Sequence, residues 1–314
     1  MRILFFNDFR LGVMKGDVVV DVSGAVADIP RLQPQDLLRG VIESWCTVRP
    51  LLEKAVAAAD GVPLGSVRVR PPVPHPSNID CMAVNYMENG TLDEPPLINA
   101  FHKSPSSVIG HGDTMVLPDV PAKIFEGEAE LALVIGKHAS EIPAAEAMNY
   151  VFGYTNFIDG SARGLLPANQ SFYKGKSRRT FAPIGPFIVT ADEVPDPQNL
   201  TVKLWNNGVL MQDFNTNDMA HNIPECIQFV SSLHDLEPGD ILATGTNHRG
   251  LNPFMDGDRI ELEVESLGRL AIDVRDDLKR RWKHESRIER KEAGLEGLMT
   301  PQLTGKYARA LPTS

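Results

Sequence analysis

The stretch with the most evident chemistry is Phe125-Glu126-Gly127-Glu128-Ala129-Glu130-Leu131-Ala132-Leu133-Val134-Ile135. Three glutamates sit two residues apart at the start of an apolar run. On a β-strand, residues i and i+2 share a face, so Glu128 and Glu130 can aim at one point. Carboxylates brought that close repel unless a cation lies between them. Taken alone, such a pair is more often the solvated edge of a strand. A second strand end shifts the balance. Residues 153–163 read GYTNFIDGSAR, with Asp159 ahead of a Gly-Ser-Ala-Arg turn. Two glutamates and an aspartate, with no His or Cys among them, suit a hard cation. Mg²⁺ would bind at about 2.1 Å and keep positions open for water or substrate oxygens, and Mn²⁺ is a workable substitute. The spacing leaves open whether Asp159 meets the two glutamates.

These residues need a scaffold, and the composition allows one. The chain has 314 residues, a formal charge of −10 and 42% hydrophobic residues, enough for a packed core. Its acidity argues against a general nucleic-acid or anionic-membrane binder, since nothing global would neutralise phosphates. No run approaches the roughly 20 apolar residues needed to span a bilayer, and the N-terminus lacks a signal-peptide core. Cys46, Cys81 and Cys226 are odd in number and far apart, which suggests a reducing, cytoplasmic compartment.

Residues 1–23 alternate around Gly12 and Gly16 and read as short antiparallel strands; residues 36–60 read as one or two helices. A stretch with five prolines between Pro63 and Pro76 reads as a linker closing a small N-terminal α/β domain, residues 1–75. Residues 76–278 form the expected metal-binding catalytic domain. Segments near 129–137, 150–159, 183–190, 200–210, 240–246 and 258–274 read as strands, with helices near 144–151 and 223–234. Strands in series with few alternating helices give an α+β, mainly β fold rather than a doubly wound sheet. Residues 279–314 form a charged tail, either a solvated helix or an arm on a partner subunit.

At these residues the chain resembles the fumarylacetoacetate hydrolase family, over about residues 1–275. The E-x-E-L strand followed by V-I-G-K matches Glu128–Lys137. Gly153–Arg163 resembles the family's G-Y-x-x-x-N-D-x-S-A-R, with Ile158 in place of Asn. Gly175–Pro186 resembles G-K-S-x-D-x-F-x-P-x-G-P, with Arg179 at the acidic position. Asn207-Gly208 with Gln212, and Leu236–Thr246 (LEPGDILATGT), complete the series in the family's order. The resemblance implies a β-sandwich roll whose divalent metal is held by Glu128, Glu130 and Asp159. It implies small 2-oxo or 1,3-dicarbonyl acids as substrates, C–C hydrolysis of an acylpyruvate or β-diketo acid, a place in aromatic catabolism, and a homodimer. The alternative on the same metal site is decarboxylation or tautomerisation of an oxaloacetate-like 2-oxo diacid.

Three carboxylates around a doubly charged ion leave one negative charge, and a chelated 2-oxo acid adds more. Lys103, Arg163 and Lys176 match family positions that would supply the balancing charge. Thr246, Gln170 and Tyr86 are substrate-binding candidates. The family's hydrolases carry N-Y-x-x-H, and here that histidine is Asn89, which cannot take a proton. Glu88, Asp93, Glu94, His102 and His248 are the possible replacements, and His102 and His248 are kept as catalytic candidates. Arg178-Arg179 and the His248-Arg249 pair add positive charge, which suggests a substrate with an extra carboxylate.

Overall fold

The run Ile124–Ile135 forms a strand in which every residue is buried. Its even-numbered and odd-numbered side chains lie on opposite faces and meet different partners. Leu131, Leu133 and Ile135 pack in one hydrophobic core; Ala132 and Val134 pack in a second. Glu126, Glu128 and Glu130 continue the even face where its apolar residues end. The computed structural model describes residues 1–167 and 172–308.

This strand pairs antiparallel with Val151–Arg163 in unbroken register from Ile124↔Arg163 to Val134↔Gly153. The hairpin is the centre of a twelve-stranded sheet. On one side follow Ala182–Thr190, then Arg2–Phe6 and Arg10–Lys15. On the other lie Ile241–Ala243, then Ile79–Met82 in parallel, then Ala100–His102. A five-stranded sheet contains Thr201–Asn206, Arg259–Val264 and Arg269–Arg275. Val202, Leu262 and Leu270 from it share one core with Leu131 and Ile158 of the hairpin. The fold is α+β and mainly β.

The helices Pro34–Glu43 and Trp45–Ala58 cover the apolar end of the even face through Leu38, Val41 and Leu52. Pro34 opens the first of these at a position where its missing N–H costs nothing. Helix Ile223–Ser231 starts on a reciprocal Asn222–Glu225 capping box.

Two segments differ from their sequence reading. The proline-rich stretch does not hang free as a linker: Val69–Arg70 pairs with Phe5–Phe6, and Val73 is fully buried. One sheet and both cores therefore run across position 75. The start of the charged tail packs on its own chain, and a short helix, Arg287–Glu292, follows it. Arg280 is fully buried against Asp276 and donates to the Val120 and Pro118 carbonyls; Trp282 donates its indole N–H to Lys123 O. These groups satisfy each other inside this chain. Among the described residues, no helix is long and apolar enough to cross a membrane.

Gly127 faces Gly160 across the hairpin. A Cβ there would stand 2.4 Å from Phe254 Cε2 and 2.8 Å from Ile158 Cγ2. Phe254 is fully buried and has no room to swing. Gly127→Ala is expected to cost about 1–3 kcal/mol through overpacking and to weaken metal binding, because Glu126 and Glu128 flank the position. Equilibrium denaturant unfolding with a metal titration checks this; an unchanged midpoint would show that the ring yields freely.

Candidate metal centre

Glu128 and Asp159 are register partners on the central hairpin, directly opposite each other on one face. Glu130 is one pleat further along that face. The register brings together what the sequence keeps 29 or more residues apart. Carboxylate oxygens of Glu128, Glu130 and Asp159 lie within 4.8 Å of one another, and all three residues are buried.

Four cations surround them. Lys176, at the end of the short helix Phe172–Lys176, places Nζ 2.5 Å from Glu128 Oε2 and also on Asp159 Oδ2. Lys103 Nζ donates to Asp159 Oδ1 at 2.5 Å and to the carbonyl of Lys176. Arg163 bridges Glu126 Oε2, at 2.6 Å, and Glu128 Oε1. Arg287, from the tail, donates to Glu126 Oε2 at 2.6 Å. Glu126, Glu128, Glu130 and Asp159 thus face an equal number of permanent positive charges.

The charges are unevenly shared. Burial pushes Glu128 up, but Lys176 and then Arg163 override it and hold the carboxyl well below its ordinary range. Burial likewise raises Glu126, and Arg163 and Arg287 more than reverse it. Asp159 is raised, because burial and Glu128 outweigh its two lysines. Glu130 is pushed well above the carboxylate range by burial, then by Asp159 and Glu128. Its one hydrogen bond comes from the N–H of Gly245, at 2.8 Å, which the left-handed backbone of that glycine (φ +87°) aims at Oε2. Among the described residues Glu130 has no cationic side-chain partner. An all-oxygen trio whose innermost member lacks a counter-charge fits a hard divalent cation.

His248 stands beside the trio. Its Nδ1 is 2.7 Å from Glu88 Oε1, and its backbone N–H donates to the same carboxylate. Its Nε2 faces Glu128 Oε1 at 3.8 Å. Asn89, at the position of the family's histidine, accepts from Asn247 Nδ2 at 3.2 Å, so the two loops touch there. Thr246 is buried and its Oγ1 accepts from Gln212 Nε2 at 2.9 Å, which leaves the hydroxyl hydrogen free to donate. Tyr86 is fully buried with no hydrogen-bond partner for its hydroxyl. Burial, then the charge of Glu130, keeps its phenol well above the ordinary range.

His102 does not join this group. It is adjacent in sequence to Lys103, and strand alternation turns the two to opposite faces; its Nδ1 lies 3.3 Å from Asp80. Gln170 lies outside the described residues. Arg179 is exposed, and Arg178 donates to the carbonyl of Lys174. Glu126, Arg287 and the buried thiol of Cys81 belong to the cluster without having been singled out. Burial, then Asp159 and Glu130, raises that thiol well above its ordinary range, so it stays protonated. Glu126 was legible in the run of alternate glutamates; nothing local signals Arg287 or Cys81.

A family model described as fumarylacetoacetate (FAA) hydrolase C-terminal matches residues 78–275. A maleylpyruvate hydrolase of Aquipseudomonas alcaligenes is 33% identical over 88% of this chain and 99% of its own. A mitochondrial oxaloacetate tautomerase of Rattus norvegicus is 35% identical over 81% of this chain and 82% of its own. The crystal structure of maleylpyruvate hydrolase from Sphingobium sp. SYK-6 with manganese(II) and pyruvate superposes with a TM-score of 0.80. It is 36% identical, covering 88% of this chain and 99% of the other.

The state of Glu130 sets a pH dependence. Its folded value is raised, so without metal its contribution is favourable when protonated and is lost as pH rises through the folded value. A divalent cation replaces that proton, so its stabilising increment must grow with pH. Thermal unfolding with and without Mn²⁺ at about 100 times its Kd should show an increment of about 2.7 kcal/mol near neutrality. That increment should shrink as the pH is lowered and Glu130 takes up its proton, and Glu130→Gln should flatten the dependence. An increment independent of pH in the unmodified protein would exclude Glu130 as a ligand.

Proposed function

The chain belongs to the fumarylacetoacetate hydrolase family, and from that premise we propose that it hydrolyses a C–C bond in a small acylpyruvate bearing a second carboxylate. Glu128, Glu130 and Asp159 would hold a divalent cation, Mg²⁺ by preference given the all-oxygen donor set. When bound, that cation supplies Lewis acidity to a chelated 2-oxo acid. The homologues named for maleylpyruvate hydrolysis support the reaction class. A homodimer acting in cytoplasmic aromatic catabolism belongs to the same proposal and rests on the family resemblance.

The charge count supports a dianionic substrate. The buried carboxylates and cations balance, so a divalent ion leaves two positive charges that a dicarboxylate neutralises. Arg163, Lys103 and Lys176 keep that positive field in place at short range, in a medium where screening is weak. Lys176 lies between Glu128 and Asp159, so an entering ligand exchanges one counter-charge for another rather than entering an empty cavity. Thr246 offers its free hydroxyl hydrogen to a substrate carboxylate, and the protonated Tyr86 offers a second donor on the Glu130 side.

The single observation carrying the hydrolytic reading is the Glu88–His248 pair. Glu88 accepts from Nδ1–H, which fixes the tautomer and leaves Nε2 unprotonated toward the carboxylate trio. Nε2 takes a proton from water; the hydroxyl adds to the acyl carbonyl carbon, and Glu88 stabilises the imidazolium. The C–C bond then breaks, its electron pair passing to the pyruvate fragment, whose carbon takes up a proton. The products are a carboxylic acid and pyruvate. A tautomerase would use the same imidazole to move a proton between carbon and oxygen without adding water, and the tautomerase-named relative keeps that reading in view.

His248→Ala should lower kcat by about 10²- to 10⁴-fold while Mn²⁺ affinity changes little, and Glu88→Gln should lower it by a smaller factor. Product analysis on an acylpyruvate dicarboxylate, with turnover measured for each variant, checks this. Undiminished hydrolysis in His248→Ala would place the base elsewhere; enol–ketone interconversion with no acid product would favour the tautomerase.

A further inference from the structure

Behind the catalytic face, a second group of ligand-type side chains converges that the mechanism does not use. Asp80 and His102 are register partners on the strands Ile79–Met82 and Ala100–His102. Their neighbours Cys81 and Lys103 face the carboxylate trio, so Asp80 and His102 face the other way. His234, beyond helix Ile223–Ser231, completes the group. Its Nε2 is 3.0 Å from Asp80 Oδ1, and His102 Nδ1 is 3.3 Å from the same oxygen. The three ligand atoms lie within 4.8 Å of one another.

Two details distinguish this from an ordinary Asp–His contact. First, His234 Nδ1 is 2.9 Å from the carbonyl of Asp235. A carbonyl only accepts, so Nδ1 carries the hydrogen and Nε2 of the neutral ring presents a lone pair to Asp80. A carboxylate and an imidazole nitrogen at 3.0 Å share a cation, either the proton that Asp80 draws onto Nε2 or a metal ion in its place. A ring nitrogen bonded to a backbone carbonyl is also how metal-binding histidines are commonly oriented. Second, Asp80 is 2% exposed, and its Oδ2 is buried with no hydrogen-bond partner among the described residues. Buried carboxylate oxygens are rarely left so, and this one belongs to the side chain at the focus of the group. Access is open, because the His102 side chain is 58% exposed and that of His234 27%.

We propose that Asp80, His102 and His234 form a second metal site, selective for a borderline-soft divalent ion such as Zn²⁺. Two imidazoles and one carboxylate, with remaining positions open to water, are a zinc-type donor set, whereas the oxygen trio suits Mg²⁺ or Mn²⁺. The two sites lie on different strand pairs and opposite faces of one sheet and differ in donor chemistry, so each takes its own cation. An ion here fastens the strand ending at His102 to the segment after helix Ile223–Ser231, directly behind Lys103.

The test is equilibrium dialysis of the full chain against Zn²⁺ in a large excess of Mg²⁺, with bound metal measured by atomic emission. The unmodified protein should retain one equivalent of Zn²⁺ that Glu130→Gln also retains and that His102→Ala and His234→Ala lose. Bound Co²⁺ should show imidazole-ligated d–d absorption that the same two variants abolish. The exposed His102 keeps the test valid if His234→Ala fails to fold. Equal Zn²⁺ retention in the unmodified protein and His102→Ala, or none in the unmodified protein, would overturn the proposal and leave a protonated Asp–His network only. Loss of hydrolysis with Zn²⁺ retention intact would bear on the oxygen-ligand site alone.

Discussion

The molecule is organised around one electrostatic constraint: carboxylates buried on one face of a single hairpin. Removing an ionised carboxylate from water costs several kcal/mol even after relaxation, and only close counter-charges offset it. The register that sets Asp159 opposite Glu128 creates this cost, and the hairpin's own end and three other parts of the chain answer it. Lys103 comes from beside an outer strand, Lys176 from a short helix, Arg163 from the hairpin's own end and Arg287 from the tail. The arrangement explains why the tail packs against its own chain. Glu126 is fully buried, and Arg163 alone would leave one guanidinium shared between two carboxylates.

That constraint also separates the roles of the acids. Glu126 and Glu128 are held ionised by arginine and lysine, whereas Glu130, among the described residues, accepts only a backbone N–H and feels Lys176 at a distance. A cation entering the trio therefore gains most from Glu130, its least compensated member. The same logic makes the surplus positive charge available to substrate. The lysines and Arg163 are fixed by carboxylates, so they meet a ligand preorganised rather than recruited from solvent.

Much of this was legible in the residues, and the exceptions share a cause. Alternation along Phe125–Ile135 places Glu128 and Glu130 on one face from sequence alone, whereas 200–210 and 258–274, each read as a strand, double back on themselves at Asn207-Gly208 and Leu267-Gly268. Convergence with Asp159 depends on register, which spacing does not fix. His102 illustrates a different failure. Its neighbour Lys103 is in the cluster, and on a strand that fact alone turns His102 away. Arg287 reaches Glu126 across 161 residues, and His248 reaches Glu88 across 160. Neither pairing has a local pattern, because both arise where loops meet after the sheets have formed. The proline-rich stretch looked like a linker because prolines punctuate; its valines, alternating as Val67, Val69 and Val73, carried the weaker signal of a packed edge.

The loop contact at Asn89 gives a physical reason why the family's histidine can be absent without removing a base from the site. Asn89 and Asn247 touch, so the residues beside them, Glu88 and His248, are neighbours as well. His248 and Glu88 would supply an imidazole and an acid beside the carboxylate trio from two different loops, where the resemblance implies a family pair carried on one lid. The division has a mechanical consequence. His248 follows Thr246 and Gly245, whose N–H is tied to Glu130, so the imidazole rides on a segment anchored to the metal-binding face. Glu88 lies on a separate segment, in which Val84, Glu88, Asn89 and Gly90 have left-handed backbones. Opening of that segment would remove the orienting carboxylate and leave the imidazole in place, whereas a histidine at position 89 would leave with the loop.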